Sequence, residues 1–235
     1  MSSRVIIITG TSRGIGLGLA SHYLARGDVV CGCSRAPAAE LEHERYSHFR
    51  LDVADEAAVV SMVRTVMRRH GRIDALVNNA GIAAMNHALI SPASVARAIF
   101  ETNFHGTFLF SREVGKIMVR QRHGRIVNLS TVATPLQLEG ESLYAASKAA
   151  VESFTRIMAR ELGSSGVTVN AVGPTPIPTD LVRNVAEEKI AALLARQAIR
   201  RLGRIDDVAN VVDFFLSPGS GFVTGQVLYL GGVSS

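Results

Sequence analysis

Short runs of consecutive apolar residues recur along the chain, separated by longer stretches in which apolar residues return every three or four positions. The runs cover residues 5–8, 29–33, 48–53, 75–78, 125–129, 167–172 and 226–230. Most are apolar on successive positions, the mark of strands buried on both faces. The stretches 56–69, 93–122, 142–162 and 206–216 read as amphipathic helices, and another helix opens after the first run and extends to about Arg26. Strand-helix-strand alternation throughout predicts an α/β fold, a doubly wound parallel sheet covered by helices on both faces. No repeat, low-complexity tract or linker breaks the pattern, and 235 residues suffice for one sizeable core, so residues 1–235 read as a single domain. The Pro-rich stretch 173–179 is expected to be an active-site loop rather than a boundary.

Composition narrows the class. With 47% hydrophobic and 19% charged residues the chain is expected to fold rather than remain disordered. Its apolar runs are far shorter than the roughly 20 residues of a membrane span. Met1-Ser2-Ser3-Arg4 leads directly into a run too short for a signal-peptide core, so a cytoplasmic location is expected. The formal charge is +5, and two basic clusters stand out: Arg64, Arg68, Arg69, His70 and Arg72, then Arg120, Arg122, His123 and Arg125. Each precedes or surrounds a glycine, as the cationic last turns of helices do. With no interleaved aromatics, nucleic-acid binding is not expected, although such charge also suits an anionic substrate or carrier. The histidines are scattered without zinc spacing, so no metal site is expected. Cys31 and Cys33 would share one strand face, poorly placed to bond each other, and read as inert buried thiols.

The segment Thr9-Gly10-Thr11-Ser12-Arg13-Gly14-Ile15-Gly16 follows the first strand and opens a helix. Glycines there let the backbone turn tightly beside a pyrophosphate, which the free N–H groups of the helix start can bind. The spacing is Gly-x-x-x-Gly-x-Gly rather than Gly-x-Gly-x-x-Gly, and the strand-loop-helix context carries the reading. The second strand ends at Cys33-Ser34-Arg35, with no carboxylate for the ribose hydroxyls of NAD. Arg35, together with Arg13 in the loop, instead suits the 2′-phosphate of NADP(H).

Tyr144 and Lys148 lie four apart in the 142–162 helix and therefore share a face. A free phenol has a pKa near 10, too high for a base at neutral pH. A neighbouring ammonium is expected to lower it, suiting Tyr144 to exchange a proton with a carbonyl or alcohol oxygen as hydride moves.

These elements, with Asp52 in Leu-Asp-Val, Asn78-Asn79-Ala80-Gly81, Asn103, a hydroxyl near 130 and Asn170-Ala171-Val172-Gly173-Pro174, resemble the compact form of the short-chain dehydrogenase/reductase family. The resemblance runs from Arg4 to about Gly232 and is strongest to 3-oxoacyl-[acyl-carrier-protein] reductases. It implies a Rossmann-type seven-stranded sheet in the order 3-2-1-4-5-6-7. It assigns Asp52 and the Val53 backbone to the adenine, and Asn79 with Ala80 and Gly81 to the floor under the adenosine ribose. Lys148 would bond the nicotinamide ribose, Asn103 would hold a water in a proton relay, and Pro174, Ile177 and Thr179 would face the nicotinamide end. It also implies a homotetramer paired through helices 93–122 and 142–162.

The pattern departs from the family at three points. The family's serine lies 13 residues before the tyrosine, where this chain has Thr131, with Ser130 one position early. Alternation along a strand sends the two in opposite directions, and Thr131 is taken as the hydroxyl that polarises the carbonyl. Pro174-Thr175 replaces Pro-Gly, with prolines again at 176 and 178, and the tail Leu230-Gly231-Gly232-Val233 lacks an aspartate before its glycines. Segment 175–201 is expected to form a lid, in which Leu181, Leu193 and Leu194 mix with Arg183, Lys189 and Arg196. The sequence leaves the substrate open: a 3-oxoacyl thioester, free or on a carrier protein, or a sugar, polyketide or other secondary alcohol. A silent NADP-binding protein is the remaining alternative, opposed by the intact Asn103, Tyr144 and Lys148.

Overall fold

Alternate residues of a strand face opposite sides of a sheet, and the first strand shows what this chain does with that rule. In strand β1 (Val5–Thr9) Ile7 enters one apolar cluster while Ile6 and Ile8 enter another on the far side. All three are fully buried. An all-apolar strand is therefore the middle of a three-layer molecule, with helices on both faces.

The computed structural model describes residues 3–37, 41–179, 182 and 185–233. The further strands are β2 (Val29–Ser34), β3 (Tyr46–Arg50), β4 (Ala75–Asn78), β5 (Gly124–Leu129), β6 (Val167–Gly173) and β7 (Val227–Tyr229). They form one parallel sheet in the order β3-β2-β1-β4-β5-β6-β7, as the family resemblance implies. One face is covered by α2 (Glu56–His70), α4 (Gly106–Gln121) and α6 (Ser142–Leu162), the other by α1 (Gly14–Ala25) and α8 (Ile205–Leu216). The remaining helices are α3 (Ala93–Phe100), the short α5 (Ala133–Leu136) and α7 (Glu187–Ala195). Successive connections run outward in opposite directions from β1 and β4, so a crevice opens at the carboxyl ends of these strands. Cys31 and Cys33 both join the core on the α2 side, where burial pushes their thiols up to about 11 and 12.

The structure revises three boundaries. β3 lies at 46–50, not 48–53. It is an edge strand, only partly buried, so its apolar residues gave no clear limit. Beyond it Asp52 Oδ1 accepts from the Ala54 N–H at 3.0 Å, and this turn lifts Asp52 and Val53 off the sheet. The helix expected over 93–122 is interrupted by a π turn at Glu101–His105, between α3 and α4. Its end is not a glycine cap: Arg122 itself takes the left-handed conformation, with φ 53°. Gly124 already belongs to β5 and packs where a Cβ would lie 2.3 Å from Met118 Sδ. Arg125 is accordingly a buried strand residue, while the other cluster does end in a left-handed Gly71, as expected. Among the described residues no helix is long and apolar enough to cross a membrane, and no cluster of potential metal ligands occurs.

Candidate active site

At the carboxyl end of β1 the chain turns back under the start of α1. Gly10 and Gly14 have φ of 74° and 59°, a region that favours glycine. A Cβ on Gly16 would lie 2.2 Å from the Gly10 carbonyl oxygen and 2.4 Å from Asn79 Nδ2, so only glycine allows the helix to start this close to the loop. The loop is held from both sides. Gly10 and Thr11 donate to the Cys33 carbonyl at 2.7 and 3.2 Å. The Thr9 hydroxyl accepts from the Asn79 and Ala80 N–H groups at 3.0 and 2.9 Å, and Asn79 Nδ2 donates to the Thr9 carbonyl at 2.8 Å. The first turn of α1 contains no acidic residue. Its N–H groups and dipole therefore present a site for an anion.

Farther along the carboxyl edge of the sheet, β5 ends in Leu129 and the chain continues through Ser130 and Thr131. The two hydroxyls diverge. Ser130 Oγ turns to the Glu152 carboxylate on α6. Thr131 accepts from the Ala133 N–H at 3.2 Å and lies beside the Tyr144 phenol, whose proton its hydroxyl influences. Tyr144 and Lys148 lie one turn apart on α6, and the buried Lys148 Nζ donates to the Leu129 carbonyl at 2.7 Å. The structure thus brings Thr131, Tyr144 and Lys148 to one spot. Asn103, wholly buried in the π turn, closes the wall behind them. Its Oδ1 accepts from the Ile82 N–H at 2.8 Å, and its Nδ2 donates to the Ile82 carbonyl and to Ser147 Oγ, both at 2.9 Å. A Cβ on Gly81 would lie 3.3 Å from Asn103 Oδ1 and 3.5 Å from Lys148 Nζ, so the 79–81 turn, the π turn and α6 converge there.

The electrostatics differ from the sequence expectation. Burial pushes the Tyr144 phenol up to about 12, against the opposing pull of the neighbouring Thr131 hydroxyl. Burial likewise draws Lys148 down to about 8, and Glu152 opposes that fall. In the chain alone desolvation outweighs any lowering of the phenol by the ammonium, so the phenol keeps its proton across the neutral range.

The remaining predicted residues lie along the same crevice. Arg13 and Arg35 are both exposed near its β2 end. Arg50 is a third arginine there that the sequence reading missed; it pairs in register with Ser34 and donates from Nε to the Arg35 carbonyl at 3.1 Å. Only the sheet register could reveal it. Asp52 is exposed and Val53 buried against Gly106, where a Cβ would come within 2.6 Å of Val53 Cγ2. After β6, buried Pro174 accepts from the Val132 N–H at 3.1 Å, and Ile177 is buried. Thr179 returns to the phosphate loop, 3.4 Å from the position of a Cβ on Gly14. Ser12 and Ile15 occupy the loop and first turn as expected. In segment 175–201, Leu193 joins a small apolar cluster with Val132, Leu136 and Val233, so α7 sits over α5. Leu181 and Arg183 lie outside the described residues.

Residues 10–234 match a family model described as enoyl-(acyl carrier protein) reductase. The chain is 34% identical to the 3-oxoacyl-[acyl-carrier-protein] reductase of Escherichia coli K12, over 97% of this chain and 96% of that protein. It is 37% identical to a (2S)-[(R)-hydroxy(phenyl)methyl]succinyl-CoA dehydrogenase subunit of Thauera aromatica, over 99% and 96%. Among solved structures it is similar to the ligand-free aldohexose dehydrogenase of Thermoplasma acidophilum, with TM-score 0.91 and 31% identity over 98% and 94% of the two chains. It is also similar to ElxO with NADP bound, with TM-score 0.90 and 29% identity over 98% of each. The sheet order, the glycine cradle and these likenesses together establish that the chain is an oxidoreductase of the short-chain dehydrogenase/reductase family.

Proposed function

We propose that this protein is an NADP(H)-dependent reductase or dehydrogenase of a ketone and its secondary alcohol, with a 3-oxoacyl thioester as the favoured substrate class. The convergence of Thr131, Tyr144 and Lys148 beside a glycine-lined cradle carries this reading. The residues present fit a dinucleotide: Gly10 and Gly14, with φ of 74° and 59°, hold the tight turn, and the first turn of α1 offers its N–H groups to a pyrophosphate with no acidic side chain in the way. Gly10, Ser12, Arg13, Gly14, Ile15 and Gly16 would hold the pyrophosphate, and Arg35 with Arg13 the 2′-phosphate. Asp52 and Val53 would hold the adenine, and Asn79, Ala80 and Gly81 would floor the ribose. Pro174, Ile177 and Thr179, with Tyr144 and Lys148, would face the nicotinamide end. When bound, the nicotinamide supplies or accepts hydride. Tyr144, protonated at neutral pH, gives its proton to the carbonyl oxygen in reduction, and Thr131 donates a second hydrogen bond to that oxygen. Lys148 stabilises the phenolate that remains, and Asn103, fixed beside it, serves the proton path to solvent.

The thioester preference rests on the relatives named for 3-oxoacyl-[acyl-carrier-protein] reduction and on the dehydrogenase of an acyl-CoA. A carrier-borne substrate, a cytoplasmic location, one catalytic domain with a lid at 175–201, and a homotetramer belong to the same proposal. A panel following NADPH oxidation with acyl thioesters, diketones and keto-sugars tests the substrate class. Tyr144→Phe should lose about 10²-fold or more in turnover while still binding NADPH; substantial residual rate would place the acid elsewhere. NADPH should bind more tightly than NADH, and Arg35→Asp should erase the preference by setting a carboxylate against the 2′-phosphate. Equal affinity in the parent protein contradicts the cofactor assignment.

A further inference from the structure

Glu152 is a buried carboxylate, 4% exposed, to which the proposed chemistry gives no task. It lies on α6 one turn beyond Lys148, on the same face. Ser130 reaches it from the end of β5, and the Tyr229 phenol faces it from β7. Arg156, one further turn along α6 and half-exposed, has its Nη2 4.0 Å from Glu152 Oε2. Lys148 meanwhile is buried with its Nζ on a backbone carbonyl, and the groups around it are otherwise neutral: Asn103 across Gly81 and the Tyr144 phenol. Among the described residues, Glu152 is the acid whose charge bears on this ammonium. Burying a carboxylate costs several kcal/mol unless donors and a cation meet it. Here the Ser130 hydroxyl donates to it, Arg156 approaches from the exposed side, and Lys148 is the buried cation one turn back on the same helix face.

We propose that Glu152, held by the Ser130 hydroxyl, is a positioning residue that keeps Lys148 charged and seated on the Leu129 carbonyl. It touches neither substrate nor cofactor and acts through the lysine. The proposal builds on the assignment of Lys148 above. It also gives Ser130, one residue from the hydroxyl assigned to the substrate, a purpose of its own: it orients the carboxylate.

The chain has only three lysines, Lys116, Lys148 and Lys189, which makes a direct measurement practical. In protein labelled with ¹³C-lysine, the three Cε signals can be followed through a pH titration and assigned with Lys116→Arg and Lys189→Arg. Glu152→Gln keeps the side-chain shape and an acceptor for Ser130 but removes the charge. The Lys148 midpoint should fall in this variant by on the order of one pH unit. Arg156→Met, at a half-exposed position, should move it upward by removing a competing cation. An unchanged Lys148 midpoint in folded Glu152→Gln overturns the proposal. If that variant does not fold, an unchanged or lowered midpoint in Arg156→Met overturns it instead. A lower melting temperature with an unmoved midpoint would likewise show a purely structural carboxylate. None of these readings needs a substrate, so they stand apart from the functional assignment. With a substrate in hand, the alkaline loss of kcat/KM for reduction should begin at lower pH in Glu152→Gln.

Discussion

At the scale of residues, the decisive pair is Ser130 and Thr131. Counting back from Tyr144 selects Thr131, and the structure directs that hydroxyl to the phenol while Ser130 turns to Glu152. Thr131→Val keeps the shape and deletes the donor, so it should cost about 10²-fold or more in rate. Ser130→Ala should cost far less at neutral pH, and Thr131→Ser should be tolerated. The opposite ranking in steady-state assays would mean that the oxygen is held by Ser130. Lys148 makes a second prediction. Its folded pKa of about 8 lies below the ordinary lysine value near 10.4, so between these the native state binds fewer protons than the unfolded chain. Stability from this residue therefore rises with pH across that window. The melting temperature of Lys148→Met relative to the parent should accordingly drop as pH climbs from about 8 to about 10. A difference independent of pH would mean that Lys148 stays charged throughout.

At the scale of elements, the strand-loop-helix at the N-terminus was legible because its glycines and apolar strand are contiguous in sequence. Gly16 shows why the spacing matters. An alanine there would drive its Cβ into the Gly10 carbonyl and Asn79. Gly16→Ala should weaken NADPH binding by about tenfold or more and cost about 1–3 kcal/mol in stability. Fluorescence titration and chemical unfolding check the two effects, and parent-like binding would show that the loop can yield. The π turn at 101–105 was not legible. Its residues are compatible with a continuous helix, and the interruption depends on Asn103 finding the Ile82 backbone and Ser147 from other parts of the chain. β3 was misplaced for a related reason, since an edge strand lacks the two-sided burial that marks the others.

At the scale of the whole molecule, the order of strands places the glycine loop, the end of β5 and the α6 pair along one crevice. The outer surface carries apolar side chains that this chain leaves uncovered. Phe100 at the end of α3, Val119 on α4 and Ile157 on α6 are 38%, 37% and 55% exposed. They lie on the helices expected to pair between subunits. Solution scattering should therefore report a tetramer at micromolar concentration, and Ile157→Glu should shift the mass downward by setting a charge in an apolar contact. A monomeric parent protein would contradict the assembly.

The sequence alone determined what is local or periodic. Consecutive apolar runs specified a sheet buried on both faces, glycine spacing marked the anion loop, and the four-residue interval put Tyr144 and Lys148 on one helix face. These follow from the two- and 3.6-residue repeats of the backbone and from contacts between near neighbours. Tertiary structure decided what depends on residues far apart in the chain. It set Arg50 beside Arg35, gave Ser130 to Glu152, and broke the long helix at Asn103. It also reversed the expected shift of Tyr144, because burial is a property of the packed molecule and a nearby ammonium lowers a phenol only where desolvation does not cost more.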